Sequence, residues 1–248
     1  MIRRKAAADG FGASPTFRWR SHEISRIEGL SDAVFGFAIT LLVVALEVPQ
    51  TFDELLERIH DFVGFAASFA LIFQVWFFQY TYFRRYGLHN GLIVWMNGFL
   101  LFVVLFYVYP LKFLVTMISR LVMTGAPVLQ VDGRQIPMLR DEQLGPLMVV
   151  YGLGFAAVFT VFLVLYWHAY RQSDRLELNE LERIETRSSI RGCIIFIAVA
   201  ATSTAVAMRS HSVATANFSG MIYLILGPAQ FLNGMYGRRE GKRLAPRD

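Results

Sequence analysis

Residues 26–48, RIEGLSDAVFGFAITLLVVALEV, decide the fold. The stretch is long and apolar enough to cross a bilayer, which takes about 20 residues for roughly 30 Å of hydrocarbon. Yet Asp32 sits a few residues inside its first end. An ionisable side chain at that depth is costly, and normally faces a bundle interior or water. Arg26 lies on a different face of the same helix, so the two cannot satisfy each other within it. The segment around Trp76, Gln79 and Tyr80 offers partners at a similar depth. One reading is a polar lock that anchors the first helix; the other is an interfacial aspartate solvated by water. Leu30, Val34, Phe37, Leu41, Val44 and Val48 recur at spacings of four and three and form one apolar stripe, with Thr40 beside it. Taken alone, such a stripe is more often ordinary packing. The polar group at the start of the same helix gives it weight.

The rest of the chain has the same character. Of its 248 residues 55% are apolar and only 17% charged, with mean hydropathy +0.44, whereas a soluble chain carries about 25% charge. The basic residues flank apolar blocks, which excludes a nucleic-acid binder driven by the net charge of +5. Cys193 has no partner in the chain, which excludes a disulfide-stapled domain. His22, His60, His89, His168 and His211 are scattered without metal spacing, so neither an enzyme, a metal centre nor a cofactor is expected. Residues 1–25 contain no apolar stretch fit for a cleaved signal peptide.

Six spans are expected, at about 26–48, 62–83, 90–113, 146–170, 190–208 and 213–236. The fifth is only mildly apolar; its alanines and Thr202, Ser203 and Thr204 suit helix–helix packing inside the bundle. Eighteen of the 24 Lys and Arg residues fall on one side of this arrangement, which places both termini in the cytoplasm of a multi-pass cell-membrane protein. The chain is thus an all-α polytopic membrane protein with a flexible N-terminal segment (1–25), a six-helix domain (26–236) and a basic tail (237–248). Residues 49–61 read as a short outer surface helix, and 114–145 as a partly ordered outer loop with a turn at Val131-Asp132-Gly133-Arg134. DRLELNELERIET, residues 174–186, reads as a helical extension with a solvated charged face. Arg84-Arg85 reads as an anchor to anionic lipid head groups.

The start of the first span resembles a known family. Arg26-x-x-x-Leu30-Ser31-Asp32, followed by AVFGFAITLLVVALEVP, is similar to the signature of the transmembrane protein 175 family of potassium channels: Arg, three residues, then Phe-Ser-Asp. The similarity covers roughly residues 26–49, with weaker echoes at 76–85 and 95–97. It implies a homotetramer whose four first helices line a pore without a carbonyl-lined filter loop. It also implies an apolar constriction at Phe37, Leu41 and Val44, a polar layer linked with potassium preference at Thr40, and a hydrogen-bonding network that includes Arg26 and Asp32. Ser31 lies within the same motif, and Gln79 takes the place of a histidine often found in the second helix. Leu30 replaces the motif phenylalanine, and Phe37 replaces the usual isoleucine or leucine of the constriction.

The function expected is a leak-type potassium channel with a side-chain filter and gate, no cofactor, and potassium as the permeant ion. A secondary transporter is the alternative, with Gly152, Gly154 and Gly227-Pro228 as candidate helix breaks. A non-conducting membrane scaffold is the other.

Overall fold

The structure, a computed structural model, describes residues 17–21, 23–44, 50–125, 128–131, 134–209 and 218–244. Six long helices make up the described chain: α1 (Arg26–Val44), α2 (Phe52–Tyr86), α3 (Gly91–Thr124), α4 (Leu144–Arg171), α5 (Glu180–Met208) and α6 (Leu226–Leu244). A two-stranded antiparallel hairpin, β1 (Val128–Val131) with β2 (Arg134–Pro137), joins α3 to α4.

Four stretches are long and apolar enough to cross a membrane: Val63–Tyr86, Gly91–Val122, Asp141–Arg171 and Glu180–Met208. α1 and α6 fall outside that set among the described residues. α1 carries Arg26, Glu28 and Asp32 in its first turns, and the second half of α6 is the charged run GRREGKRL. The segments expected to complete the first and sixth spans, 45–48 and 213–217, lie outside the described residues.

Several expected boundaries move outward. The segment 49–61 forms no separate surface helix, because α2 is continuous from Phe52. α3 runs to Thr124, where Gly125 caps it in a left-handed conformation (φ 75°) and returns its N–H to Leu121 O. The expected outer loop therefore begins later and contains the hairpin, whose register pairs Val131 with Arg134; Asp132 and Gly133 lie outside the described residues. α6 continues to Leu244, through most of the expected tail.

α4 and α5 form the most extensive helix pair. Phe159 and Phe196 stack across it with centroids 3.9 Å apart. Farther along, Thr204 approaches α4 so closely that a Cβ on Gly152 would lie 2.0 Å from its hydroxyl, and one on Gly154 would lie 2.1 Å from the Tyr107 ring of α3. Both glycines therefore mark close helix contacts inside an unbroken α4, and the transporter-type break expected there is absent. A 3-10 turn, Ile222–Ile225, runs directly into α6, so the helix geometry changes just before Gly227-Pro228, the position named for a break in the sixth span. Ala200, Ser203 and Ala207 of α5 are buried, as expected of a helix packed within the bundle, and Ser203 Oγ donates to Ser219 O at 2.8 Å.

The N-terminal segment is not free over its described part. Phe17 is buried edge-to-face against Tyr86, and Arg20 N donates to Arg84 O at 2.9 Å. Arg20 Nη2 meets Glu182 Oε2 at 2.7 Å, and Arg18 N donates to Glu182 Oε1 at 2.9 Å. Glu182 is 0% exposed. It also closes a capping box with Asn179, the N-cap of α5. The charged run 174–186 is thus not a uniformly solvated face: a turn precedes α5, and one of its carboxylates holds the strap. Arg84 and Arg85 depart from the lipid-anchor reading as well. Their side chains are only 12% and 16% exposed, and they face Glu28 and Glu185.

Two outcomes follow from this packing. Glu182→Ala takes the carboxylate from the buried Arg20 guanidinium and the acceptor from the Arg18 N–H, and loss of a buried partner costs about 3–5 kcal/mol. The apparent melting temperature of the purified protein should fall by about 6–20 °C, and clearly less in Glu185→Ala, whose carboxylate is part-exposed and 3.4 Å from Arg85. Equal melts would show that Glu182 bears no special load. Gly154→Ala should destabilise by about 1–3 kcal/mol through overpacking, while Gly227→Ala, whose added Cβ meets nothing within 4 Å, should leave the same melt unchanged.

Candidate functional site

α1 begins at a capping box: Ser25 N donates to Glu28 Oε2 at 2.8 Å, and Glu28 N donates back to Ser25 Oγ at 3.3 Å. One face then turns inward. Glu28, Ser31, Phe35, Ala38 and Leu42 are all buried, at the three- and four-residue spacing that one helix face requires, against α2 and α3.

That face is held by polar groups as well as by packing. Ser31 Oγ donates to Ile27 O at 2.8 Å and accepts from Asn97 Nδ2 at 2.9 Å; Asn97 Oδ1 accepts from Gln79 Nε2 at 2.7 Å. Ser31, Asn97 and Gln79 are at most 2% exposed. The chain of hydrogen bonds crosses from α1 to α3 to α2 and leaves no room for a shift of register. Beside it, Trp76 Nε1 donates to Asp32 Oδ1 at 2.7 Å. The indole is aimed by its own stack: Phe73 and Tyr80 flank it with centroids 5.1 and 5.4 Å away, and Arg84 lies 5.3 Å above the Tyr80 ring.

The anticipated network residues thus fall into place unequally. Asp32 takes Trp76, one of the three partners foreseen for it. Gln79 reaches α1 through Asn97 and Ser31, and not through Asp32. Arg26 is exposed and has no hydrogen-bond or ion-pair partner among the described residues. Asn97 is the member that sequence reasoning missed. Its signal was a single amide in the run GLIVWMNGFLLF, where a polar side chain in an apolar helix points to a neighbouring helix.

Among the described residues, the opposite face of α1 is largely unpartnered. Phe37 is 59% and Leu30 60% exposed, and Thr40 is exposed beside them. The stripe is divided, because Val34 and Leu41 lean partly on the core. Val44 ends the helix; its side chain, like the whole of Val48, lies outside the described residues. Thr40 Oγ donates its only hydrogen to Phe37 O at 2.7 Å. Its lone pairs are therefore turned outward, and the hydroxyl faces the exterior of the chain as an acceptor. Around the same side run Gly29, Ala33 and Gly36; no atom lies within 4 Å of a Cβ built on either glycine.

Comparisons with known proteins identify the family. Residues 26–107, which contain every member of the anchor, match the family described as endosomal/lysosomal potassium channel TMEM175. A potassium channel of Marivirga tractuosa is 35% identical over 243 residues, which cover 97% of this chain and 98% of that one. A potassium channel of Chamaesiphon minutus is 34% identical over 171 residues, 66% of this chain and 73% of that one. Among solved structures, a variant of the potassium channel MtTMEM175 in complex with a nanobody fusion superposes with TM-score 0.79 at 35% identity, over 92% of this chain and 100% of that one. The TMEM175 homologue from Chamaesiphon minutus shares the fold, with TM-score 0.52 at 23% identity over 89% of this chain and 99% of that one. The family consists of channels and not enzymes, and its members need no cofactor. With near-complete coverage of a 35% identical relative and several helices apolar enough to cross a bilayer, this multi-pass membrane chain belongs to the TMEM175 family of potassium channels.

Proposed function

We propose that the chain is a leak-type potassium channel of the cell membrane, a homotetramer with six crossings per subunit and both termini in the cytoplasm, whose four α1 helices line the pore. The observation that carries this reading is the division of α1 into two faces. One is locked to α2 and α3 through Ser31 and Asp32, and the other leaves Phe37 and Thr40 exposed, with no partner on another helix among the described residues. A face of that kind, bearing a hydroxyl and adjoining a carboxylate, is unsuited to lipid and suited to an axis shared with other copies. The names of the relatives supply the ion. The one-sided distribution of Lys and Arg supplies the orientation.

In this reading Phe37, Leu41 and Val44 form the constriction, with Thr40 beside it. Apolar rings offer a cation no substitute for its water shell and dewet when narrow, so one layer serves as filter and gate. Potassium, less tightly hydrated than sodium, sheds water there at smaller cost. Thr40 oxygens, their hydrogens committed to the backbone, re-coordinate the ion or hold its waters. Four phenyl rings close an axis firmly, and when rotated aside they present π faces to a passing cation. Asp32 acts mechanically: its bond to Trp76 sets the rotation of α1, and with it the direction of Phe37. Anionic lipid head groups attend the cytoplasmic face, with the basic C-terminal end of α6 as their contact.

Phe37→Ala and Phe37→Asn should each raise leak severalfold and bring potassium and sodium permeabilities closer together, as read by planar-bilayer recording of the purified protein. Unchanged permeability ratios in both variants would remove Phe37 from the pore, and a wild type that never conducts while the variants do would make this chain a sealed scaffold. Asp32→Ala and Trp76→Phe, which remove opposite ends of one hydrogen bond, should lower the tetramer fraction and its melting temperature together. If both variants migrate and melt like the wild type, α1 is set by packing alone.

A further inference from the structure

Ahead of α1, residues 17–21 form a strap across the ends of α2 and α5, and both of its sides are fastened. The last turn of a helix leaves carbonyls without helical donors. Gly87, at φ 59°, ends α2 by returning its N–H to Phe83 O at 2.9 Å. The strap takes the next carbonyl: Arg20 N and Ser21 N both donate to Arg84 O, at 2.9 and 3.3 Å. The Arg84 guanidinium grips the same segment in return. It donates to Ser21 O and Glu23 O at 3.5 Å and lies 3.8 Å from Glu28 in the first turn of α1. Phe17 is buried against the Tyr86 ring, with the Arg85 guanidinium 4.7 Å from its centre.

The other side of the strap is clamped to the α4–α5 turn. The Arg20 guanidinium is bidentate on Glu182, at 2.7 and 3.1 Å, and its Nε–H goes to Leu176 O at 2.8 Å. Arg18 Nη2 donates to Glu177 O at 2.8 Å. Glu177 stands at φ 48°, a left-handed conformation that costs a non-glycine residue energy and persists where its surroundings hold it.

Between the two fastenings stands Trp19. Its ring meets Tyr80 edge to face, with centroids 6.1 Å apart. Tyr80 stacks on Trp76 at 5.4 Å, and the Trp76 indole holds Asp32. A relay of rings thus leads from the strap to the carboxylate on α1. Arg84, 5.3 Å above the Tyr80 ring and beside Glu28, ties the relay to the strap.

We propose that the strap is a positioning element of the ion path: Arg20, clamped on Glu182, seats Trp19, and Trp19 holds α1 at its working rotation through Tyr80 and Trp76. The consequence for conduction rests on the pore lining proposed for α1. With the strap seated, Phe37 keeps its direction; with the clamp open, α1 gains rotational freedom and ions leak. The α4–α5 turn is thereby a second place from which ion flow is altered.

The test uses the purified full-length protein in lipid nanodiscs, with amide hydrogen exchange read by mass spectrometry, and the same preparation in planar bilayers. Trp19→Ala should speed exchange across residues 26–36 of α1 about two- to tenfold, the equivalent of one aromatic pair, while residues 155–166 of α4 exchange as in the wild type. Trp19→Phe, which keeps an aromatic edge for Tyr80, should restore the wild-type rate. The same shift is expected of Glu182→Gln, which keeps an oxygen for the cap of α5 and loses the charge that clamps Arg20. Trp19→Ala should also raise leak and bring potassium and sodium permeabilities closer together. In a Trp76→Phe background, where the relay is already cut, Trp19→Ala should add nothing further; Tyr80→Leu serves for that comparison where Trp76→Phe does not assemble. Exchange in α1 that is indifferent to Trp19→Ala or to Glu182→Gln, or an effect of equal size with and without the relay, overturns the proposal. So do currents that respond to Phe37→Ala and not to Trp19→Ala, a result that leaves the pore lining standing. Exchange that responds to Trp19→Ala beside permeabilities unchanged by either substitution sinks the pore lining and the strap's part in ion flow, and leaves its hold on α1.

Discussion

The hydrogen bonds from Asn97 to Ser31 and from Gln79 to Asn97 are the constraint on which the arrangement of α1 depends. Inside an apolar bundle, helices feel little hydrophobic preference for one rotation over another, because lipid and neighbouring side chains are equally apolar. Small shifts in azimuth are then cheap. A buried amide that must find both a donor and an acceptor changes this, because each wrong rotation strands a polar group. Asn97 meets both needs at once from the middle of α3. The Trp76–Asp32 bond repeats the restriction about one residue farther along α1, on the rim of its buried face.

The same device recurs wherever one helix must be fixed to another. Glu182 collects Arg20 and the Arg18 N–H, so that the strap preceding α1 is tied to the start of α5. α6 is attached to α5 by Gln230 and Asn233 on main-chain carbonyls and by Arg187 and Arg191 on Glu240, at 3.2 and 3.6 Å. Gly192 is what lets the amides in, since a Cβ there would come within 3.1 Å of Gln230 Oε1. Where Gly152 and Gly154 bring α4 against α5 and α3, polar ties again accompany the close approach: Tyr107 Oη donates to Val150 O at 2.9 Å, and Tyr151 Oη donates to Pro110 O. Polar ties thus fix rotation along the bundle, and missing side chains permit close approach beside them.

This contrast explains what was legible in the sequence. The number and type of long helices followed from hydropathy, because apolar runs of that length have few other solutions. Asp32 stood out because it is a charge where charges are expensive, and the stripe on α1 because its spacing is regular. Helix ends were placed too far inward for α2 and α3, whereas the helical extension read at 174–186 is present from Glu180. Hydropathy marks the depth of hydrocarbon, while backbone hydrogen bonding continues into polar surroundings for as long as nothing interrupts it, so FDELLERIHD and ELERIETRSS remain helical. Partners were harder still. Glu182 stands in a run of charges that looks uniformly solvated, and only its capping-box spacing from Asn179 distinguishes it from Glu180 or Glu185. Its burial is created by Arg18 and Arg20, more than 160 residues away. Asn97 carried a signal but no address.

The exposed side of α1 is the counterpart of its locked side. A helix fixed so firmly in rotation presents its remaining residues in a fixed direction, and here that direction holds Gly29, Ala33, Gly36, Phe37 and Thr40. Two large apolar side chains that are more than half exposed, Leu30 and Phe37, are unremarkable against lipid. A threonine oxygen with its hydrogen already spent, a row of small residues and an adjoining carboxylate are not, because lipid offers them neither donors nor water. Such a surface is satisfied by other helices that approach closely at the small residues, and by water or ions at the oxygens. In the channel proposed above, rotational locking and pore lining are one requirement seen from two sides: side chains that act on an ion at a shared axis must be held by groups that face away from it.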